Sequence, residues 1–215
     1  MVKIADMPKG IDVSKHQGNV DWNRVKNSGF SFGFARAIDD KTGTTADPFF
    51  KRNWDGMKAA GLFRGAYYFL RPKRNAVNSA NLFVSIVGSL QPGDLPPVID
   101  VEVDDGVGSQ AILDRVAQWI DIVENALQRQ VLIYTFTSFW RDTLKNSTRF
   151  SDHPLWVAHF TSAPQPNFPD AFNTFSFWQH SESGTVSGVN GKVDLDRFNG
   201  SMNGLRAFAG IKDTN

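Results

Sequence analysis

Three short runs in this chain alternate apolar residues with carboxylates, and they constrain its fold more than any other feature. The central run is Pro96-Pro97-Val98-Ile99-Asp100-Val101-Glu102-Val103-Asp104-Asp105. Its β-branched residues, and the proline pair at its start, spell a short β-strand. Period-two alternation sends Val98, Asp100 and Glu102 to one face and Ile99, Val101 and Val103 to the other. The pattern recurs in Gly10-Ile11-Asp12-Val13-Ser14 and in Lys192-Val193-Asp194-Leu195-Asp196. Such strands pack their greasy face under helices, and their acids point the opposite way.

Helices and further strands fill the intervals. Asp21 to Gly29 reads as a helix, capped by Asp21 and ended by Gly29. Asp47-Pro48 starts a second, with the stripe Phe50, Trp54 and Met57, and Gly61 stops it. Asn75 to Val87 is a third, with Leu82, Phe83, Ile86 and Val87 on one side. Ser109 to Gln128 is the clearest, because Ile112, Val116, Ile120, Val123 and Leu127 recur at three- and four-residue steps. A short helix is expected around Ser138 to Leu144. The remaining strands are expected at 30–37 (Phe32, Phe34 and Arg36 sharing a face), 65–70, 131–136, 154–159 and 174–180. Residues 163–169 read as a loop and 181–191 as a Gly/Ser turn region. Strand-helix alternation implies parallel strands with right-handed crossovers. The first five strands alternate with helices and the last three do not. Eight such strands in 215 residues predict a closed α/β barrel that has lost its late helices. No linker or repeat splits the chain, so a single domain is expected over 1–215, with its core at about 10–200.

Composition excludes several classes of function. The net charge of +1 recruits neither nucleic acid nor an acidic membrane. There are no cysteines, so disulfides and thiolate chemistry are absent. Residues 1–8 do not read as a signal peptide, and no run approaches the roughly 20 apolar residues of a membrane span.

In a barrel of this kind the carboxyl ends of the strands line the active site. Asp12, Asp100 with Glu102, and Asp194 come there from three separate strands. Asp100 and Glu102 lie about 6.6 Å apart along their strand, at roughly 3.3 Å per residue. Carboxylates that close repel each other, and one is pushed towards its protonated form. That suits acid catalysis on a glycosidic bond. Two other readings stay open: solvated acids on edge strands, and a magnesium site built from the same four acids. The histidines show no HExxH spacing. Neither a GxSxG elbow nor a GxxxxGK[ST] phosphate loop is present.

Further motifs add a resemblance. Gly10-Ile-Asp-Val-Ser14 with His16-Gln17-Gly18, and Gly61-Leu-Phe-Arg-Gly65-Ala-Tyr67-Tyr68-Phe69, resemble the family 25 glycoside hydrolases. So do 95–102, Leu155-Trp156-Val-Ala158, Phe177-Trp178-Gln179 and 191–198. These are lysozymes of the fungal and phage type, N,O-diacetylmuramidases. The resemblance runs in order from about residue 10 to about 200. It implies an irregular TIM-like barrel with five β/α units followed by three strands. It also implies hydrolysis of the β-1,4 bond between N-acetylmuramic acid and N-acetylglucosamine in peptidoglycan, with retention and no cofactor or metal. Glu102 would protonate the leaving oxygen. Asp100 would support the substrate's acetamido group or act on the anomeric carbon. Asp12 and Asp194 would balance charge and bind sugar or water. Tyr67, Tyr134 and Trp156 would line the groove, with core packing as the alternative for each.

One stretch departs from the family. Its members usually follow the second strand with Lys-Ala-Thr-Glu-Gly, where this chain has Arg36-Ala37-Ile38-Asp39-Asp40. Arg36 keeps a positive charge for substrate contact, and the missing Glu-Gly implies a rebuilt loop. Tyr68 stands where His is frequent. The expected partner is the peptidoglycan glycan strand, met by a monomer, either a phage lysin released from the host or a secreted enzyme. A non-catalytic glycan-binding module and a chitinase-like enzyme are the competing readings.

Overall fold

The computed structural model describes residues 4–211. The ends of the expected 1–215 domain, and the first three residues of the segment read as lacking a leader, lie outside the described residues. Eight strands close into one barrel in chain order. They are β1 (Lys9–Val13), β2 (Phe32–Arg36), β3 (Phe63–Phe69), β4 (Val98–Asp100), β5 (Leu132–Phe136), β6 (Leu155–Ala158), β7 (Phe177–Gly184) and β8 (Val193–Phe198). The helices are α1 (Trp22–Asn27), α2 (Phe50–Ala59), α3 (Ala76–Val87), α4 (Ser109–Leu127) and α5 (Met202–Phe208), with a π-helical turn at Phe139–Thr143 after β5. The expected closed α/β barrel forms, and its helical crossovers are confined to the first five strands.

One strand direction differs from expectation. Strands β1 to β7 pair in parallel, but β8 is antiparallel to both β7 and β1. Only residues 185–192 join β7 to β8. A parallel crossover needs a dozen or more residues, so the chain turns back on itself.

The alternation seen in the sequence sorts the side chains. Phe32, Phe34, Val98, Leu132, Trp156, Phe177 and Phe198 fill the barrel interior. Glycines on the neighbouring strands make room for these rings. A Cβ at Gly10 would come within 2.0 Å of the Phe32 ring, and one at Gly65 within 2.2 Å of Phe34. Phe34 stacks on Trp156 with centroids 4.4 Å apart. The opposite faces, Ile11, Val13, Ile99, Val101 and Val193, pack outward under the helices. There α4 buries Ile112, Val116, Trp119, Ile120 and Val123.

Several boundaries move for local reasons. Strand β4 stops at Asp100, so Glu102 lies beyond the regular ladder. Helix α2 begins at Phe50 rather than at Pro48, because the Asp47 carboxylate accepts from the Phe49 and Lys15 N–H groups. The buried stripe of α3 is Ala76, Ser79, Ala80, Phe83 and Val87, leaving Leu82 and Ile86 half-buried. Its small residues let Phe83 reach Trp119, 5.0 Å between ring centroids. Strand β7 runs on to Gly184, into the segment read as a turn. Helix α5 was not expected. Ser201 caps it by accepting from the Gly204 N–H, and its Leu205, Phe208 and Ala209 join the interior cluster beside Phe177 and Phe198.

Candidate active site

A cleft of about 350 Å3 opens at the carboxyl end of the parallel strands. All eight residues singled out from the sequence line it: Asp12, Arg36, Tyr67, Asp100, Glu102, Tyr134, Trp156 and Asp194. Asp12 comes from β1, Arg36 from β2, Tyr67 from β3, Asp100 from β4, Tyr134 from β5 and Trp156 from β6. Asp194 arrives by a different route from the one its sequence suggested. It lies near the amino end of β8, and the reversed direction of that strand brings this end to the mouth. Its register partner on β1 is Asp12. Glu102, just past β4, keeps the inward direction that alternation gave it. The Val101 N–H still donates to the Tyr134 carbonyl at 2.9 Å, and Thr135 Oγ1 donates to the Val101 carbonyl at 2.7 Å. These two bonds hold the backbone on either side of Val101.

Crowded burial sets the electrostatics. Burial pushes the Glu102 carboxyl up to about 7, the Asp194 charge adds to the shift, and the Arg36 guanidinium opposes it. Asp194 is raised to about 6, mainly by burial and partly by Glu182, against a hydrogen bond with Asp12. Asp100 is raised by burial and by Glu102, again with Arg36 opposing. Asp12 is raised by burial and by Asp196 and Asp194. The cleft therefore holds protons at a pH where free carboxylic acids have lost theirs.

Hydrogen bonds fix the cleft walls. The Tyr134 hydroxyl donates to Gln179 Oε1 at 2.8 Å, and Gln179 Nε2 donates to Asp12 Oδ2 at 2.8 Å. Burial raises the Tyr67 and Tyr134 phenols, which stay neutral. The aromatic residues satisfy both readings made of them, because Tyr67, Tyr134 and Trp156 pack in the interior cluster and also face the cleft. Some polar atoms have no partner. Arg36 Nε and Nη2 and Asp100 Oδ1 are buried without a hydrogen bond. Asp47 lies 3.6 Å and Asp40 3.8 Å from the Arg36 guanidinium, beyond hydrogen-bond range.

The site is larger than the sequence reading. Asp196 was left out, yet it is 1% exposed and accepts from Trp156 Nε1 at 3.0 Å. Its signal was visible, since it shares a face with Asp194. Gln179, Glu182, His16, Gln17 and the rings of Phe69, Phe136 and Phe160 also line the cleft. The rebuilt loop after β2 is tied down by Lys15, whose ammonium reaches Asp39 at 3.0 Å and Asp40 at 2.7 Å. Tyr68 lies outside the cleft. It donates to Ser79 Oγ at 3.0 Å and stacks on Trp119. Among the described residues, no group of three or more His, Asp or Glu side chains is placed to hold a metal ion.

Comparison with known proteins finds the same barrel. The sequence model of "Glycosyl hydrolases family 25" matches residues 11–189. Lysozyme M1 of Streptomyces globisporus is 34% identical over 212 residues, covering 94% of this chain and 71% of that protein. The uncharacterized protein YegX of Escherichia coli K12 is 38% identical over 209 residues, covering 95% of this chain and 75% of its own length. The crystal structure of the bacterial lysozyme from Streptomyces coelicolor superposes with a TM-score of 0.89 at 33% identity, over 96% of this chain and 99% of that one. A family match spanning most of the barrel, with relatives this similar along nearly the whole chain, makes the protein a member of glycosyl hydrolases family 25 and hence a glycoside hydrolase.

Proposed function

We propose that this chain is a muramidase, hydrolysing the β-1,4 bond between N-acetylmuramic acid and N-acetylglucosamine in peptidoglycan with retention at the anomeric carbon. The observation that carries the reading is Glu102, a carboxyl at the cleft mouth raised to about 7. At that value it can give a proton near neutral pH and take it back, as general acid–base catalysis requires.

The residues then take defined roles. Glu102 gives its proton to the leaving glycosidic oxygen. The substrate's own acetamido oxygen attacks the anomeric carbon from the opposite side, and Asp100 accepts the acetamido N–H. Glu102, now a carboxylate, takes a proton from the incoming water that opens the cyclic intermediate. Two inversions give net retention, a substrate-assisted variant of the two-carboxylate scheme. Asp12 and Asp194 bind sugar hydroxyls and water, and Arg36 tempers the charge on Asp100 and Glu102. Tyr67, Tyr134 and Trp156 form the sugar-contacting wall. The chain works as a monomer on the bacterial cell wall, either as a lysin or as a secreted enzyme.

Mass spectrometry of digested, purified wall tests this reading. The expected products carry N-acetylmuramic acid at their new reducing ends. New ends of N-acetylglucosamine, a preference for chitin, or wall binding with no new ends would each reject it.

A further inference from the structure

Beside the acidic cleft, the same end of the barrel carries a cationic hollow. It lies where the connections after β2 and β3 meet the first turns of α4. Lys73, Arg74 and Arg115 surround a space of about 430 Å3 with Asn75, Val77 and Gln118. The acids that touch this region are engaged elsewhere. Asp105 accepts from Arg71 Nε at 3.0 Å, and Asp40 is held by Lys15 at 2.7 Å. Asp114, next to Arg115, is paired with Arg149. Arg74 Nη2 donates to the carbonyls of Asp40 and Lys41, contacts that use donors without neutralising its charge. Lys73 is exposed and Arg115 half-buried, and among the described residues neither makes a side-chain hydrogen bond or ion pair; the Lys73 backbone N–H bonds to Asp105, whose carboxylate feels the ammonium as a nearby charge. The amino end of α3 opens into the same hollow through Asn75, Ala76 and Val77, adding partial positive charge.

Charge is thus segregated across a short distance. The cleft presents Asp12, Asp100, Glu102, Glu182 and Asp194, and the hollow presents cations. Lys73 follows Phe69, which lines the cleft, by four residues, so their Cα atoms are at most about 14 Å apart. We propose that the hollow seats the carboxylates of the peptide stem carried by the glycan strand under attack, making Lys73 and Arg115 specificity residues for stem-bearing strands. This rests on the muramidase reading. The sugars of such a strand are neutral, and its carboxylates sit on stems that leave the lactyl group beside the bond being cut. A stem of about four residues also spans up to roughly 14 Å. The cations of the rim attract those carboxylates, and among the described residues the cleft offers them no positive charge but the buried Arg36.

The test compares stem-bearing glycan strands with the same strands stripped by an amidase, using the wild-type protein and Lys73→Gln/Arg115→Gln. Wild type is expected to show kcat/KM about fivefold higher on stem-bearing strands at low salt, the size two exposed ion pairs can supply. The preference should fade near about 1 M salt. The double variant should lose the preference while keeping its activity on stripped strands. A variant that keeps the preference, or loses activity equally on both strands, overturns the proposal. So does inhibition of wild type, relieved in the variant, by a wall phosphodiester polymer where free stem peptide has no effect. Should wild type cut neither strand, the muramidase reading is what fails. Calorimetry with free stem peptide then still decides the hollow: binding lost in the double variant supports it, and no binding to wild type overturns it.

Discussion

Glu102→Gln is expected to fold as the parent does and to lose roughly 10²- to 10⁴-fold in wall hydrolysis, the range that general acid catalysis supplies. Glutamine keeps the shape of the side chain and its place at the mouth, but has no proton to give. In the proposed mechanism both halves of the reaction need the same carboxyl, first as donor and then as acceptor. The loss should therefore fall on kcat, with binding of the glycan retained. The measurement is release of reducing ends from purified wall, set beside a pull-down of insoluble wall by the same variant. Activity within about tenfold of the parent would take the proton-transfer role away from Glu102.

The second large effect is on stability, and it has a definite sign. In the unfolded chain Glu102 and Asp194 return to ordinary carboxylic values near 4.5 and 3.8; in the fold they sit at about 7 and about 6. Between those limits the folded state binds more protons than the unfolded state, so stability falls as pH rises from about 4 to about 7. Asp12, Asp100 and Asp196 are shifted in the same direction by burial and their acidic neighbours. Asp39 acts the other way at the acid end. Lys15 and backbone N–H groups hold it at about 2, so its contribution is present above its ordinary value and is lost as pH falls towards 2. Maximum stability is expected at mildly acidic pH. Asp194→Asn should then be more stable than the parent at pH 8 by about 1–2 kcal/mol, the rise from 3.8 to about 6 discounted for partial exposure. At pH 4, close to the unfolded value of 3.8, most of the difference should be gone. Urea titrations at the two pH values check this, and an Asp194→Asn protein no more stable at pH 8 would mean that burial does not hold the Asp194 carboxyl above its ordinary range.

The same alternation of apolar and acidic residues made much of the architecture legible. On β1, β2 and β4 it correctly separated the interior face from the helix-facing side, because a two-residue period fixes direction from local sequence alone. It also carried Glu102 to the cleft although the regular strand stops two residues earlier. What it could not give was strand direction. The residues of β8 read identically whether the strand runs up or down, and the short 185–192 connection decided the matter. Contacts between distant segments were equally invisible. Gln179 reaches Asp12 across 167 positions, and Arg64 meets Asp94 across 30, at 2.6 Å, with its guanidinium over the Trp54 ring. Neither pairing has a sequence period to announce it. Helix α5 did leave a trace, the Ser201 cap, but its Gly204 and seven-residue length weakened the pattern. The resemblance supplied roles for the acids, and the geometry supplied the reason that one of them can hold a proton.

The most direct test of the account is the titration of Glu102 itself, followed by carboxyl-selective carbon NMR of the folded protein and assigned with Glu102→Gln. The account predicts an apparent midpoint near 7 that drops when Asp194 is replaced by Asn, because burial and that neighbouring charge both raise it. A midpoint near 4.5, unmoved by the Asp194 change, would contradict it.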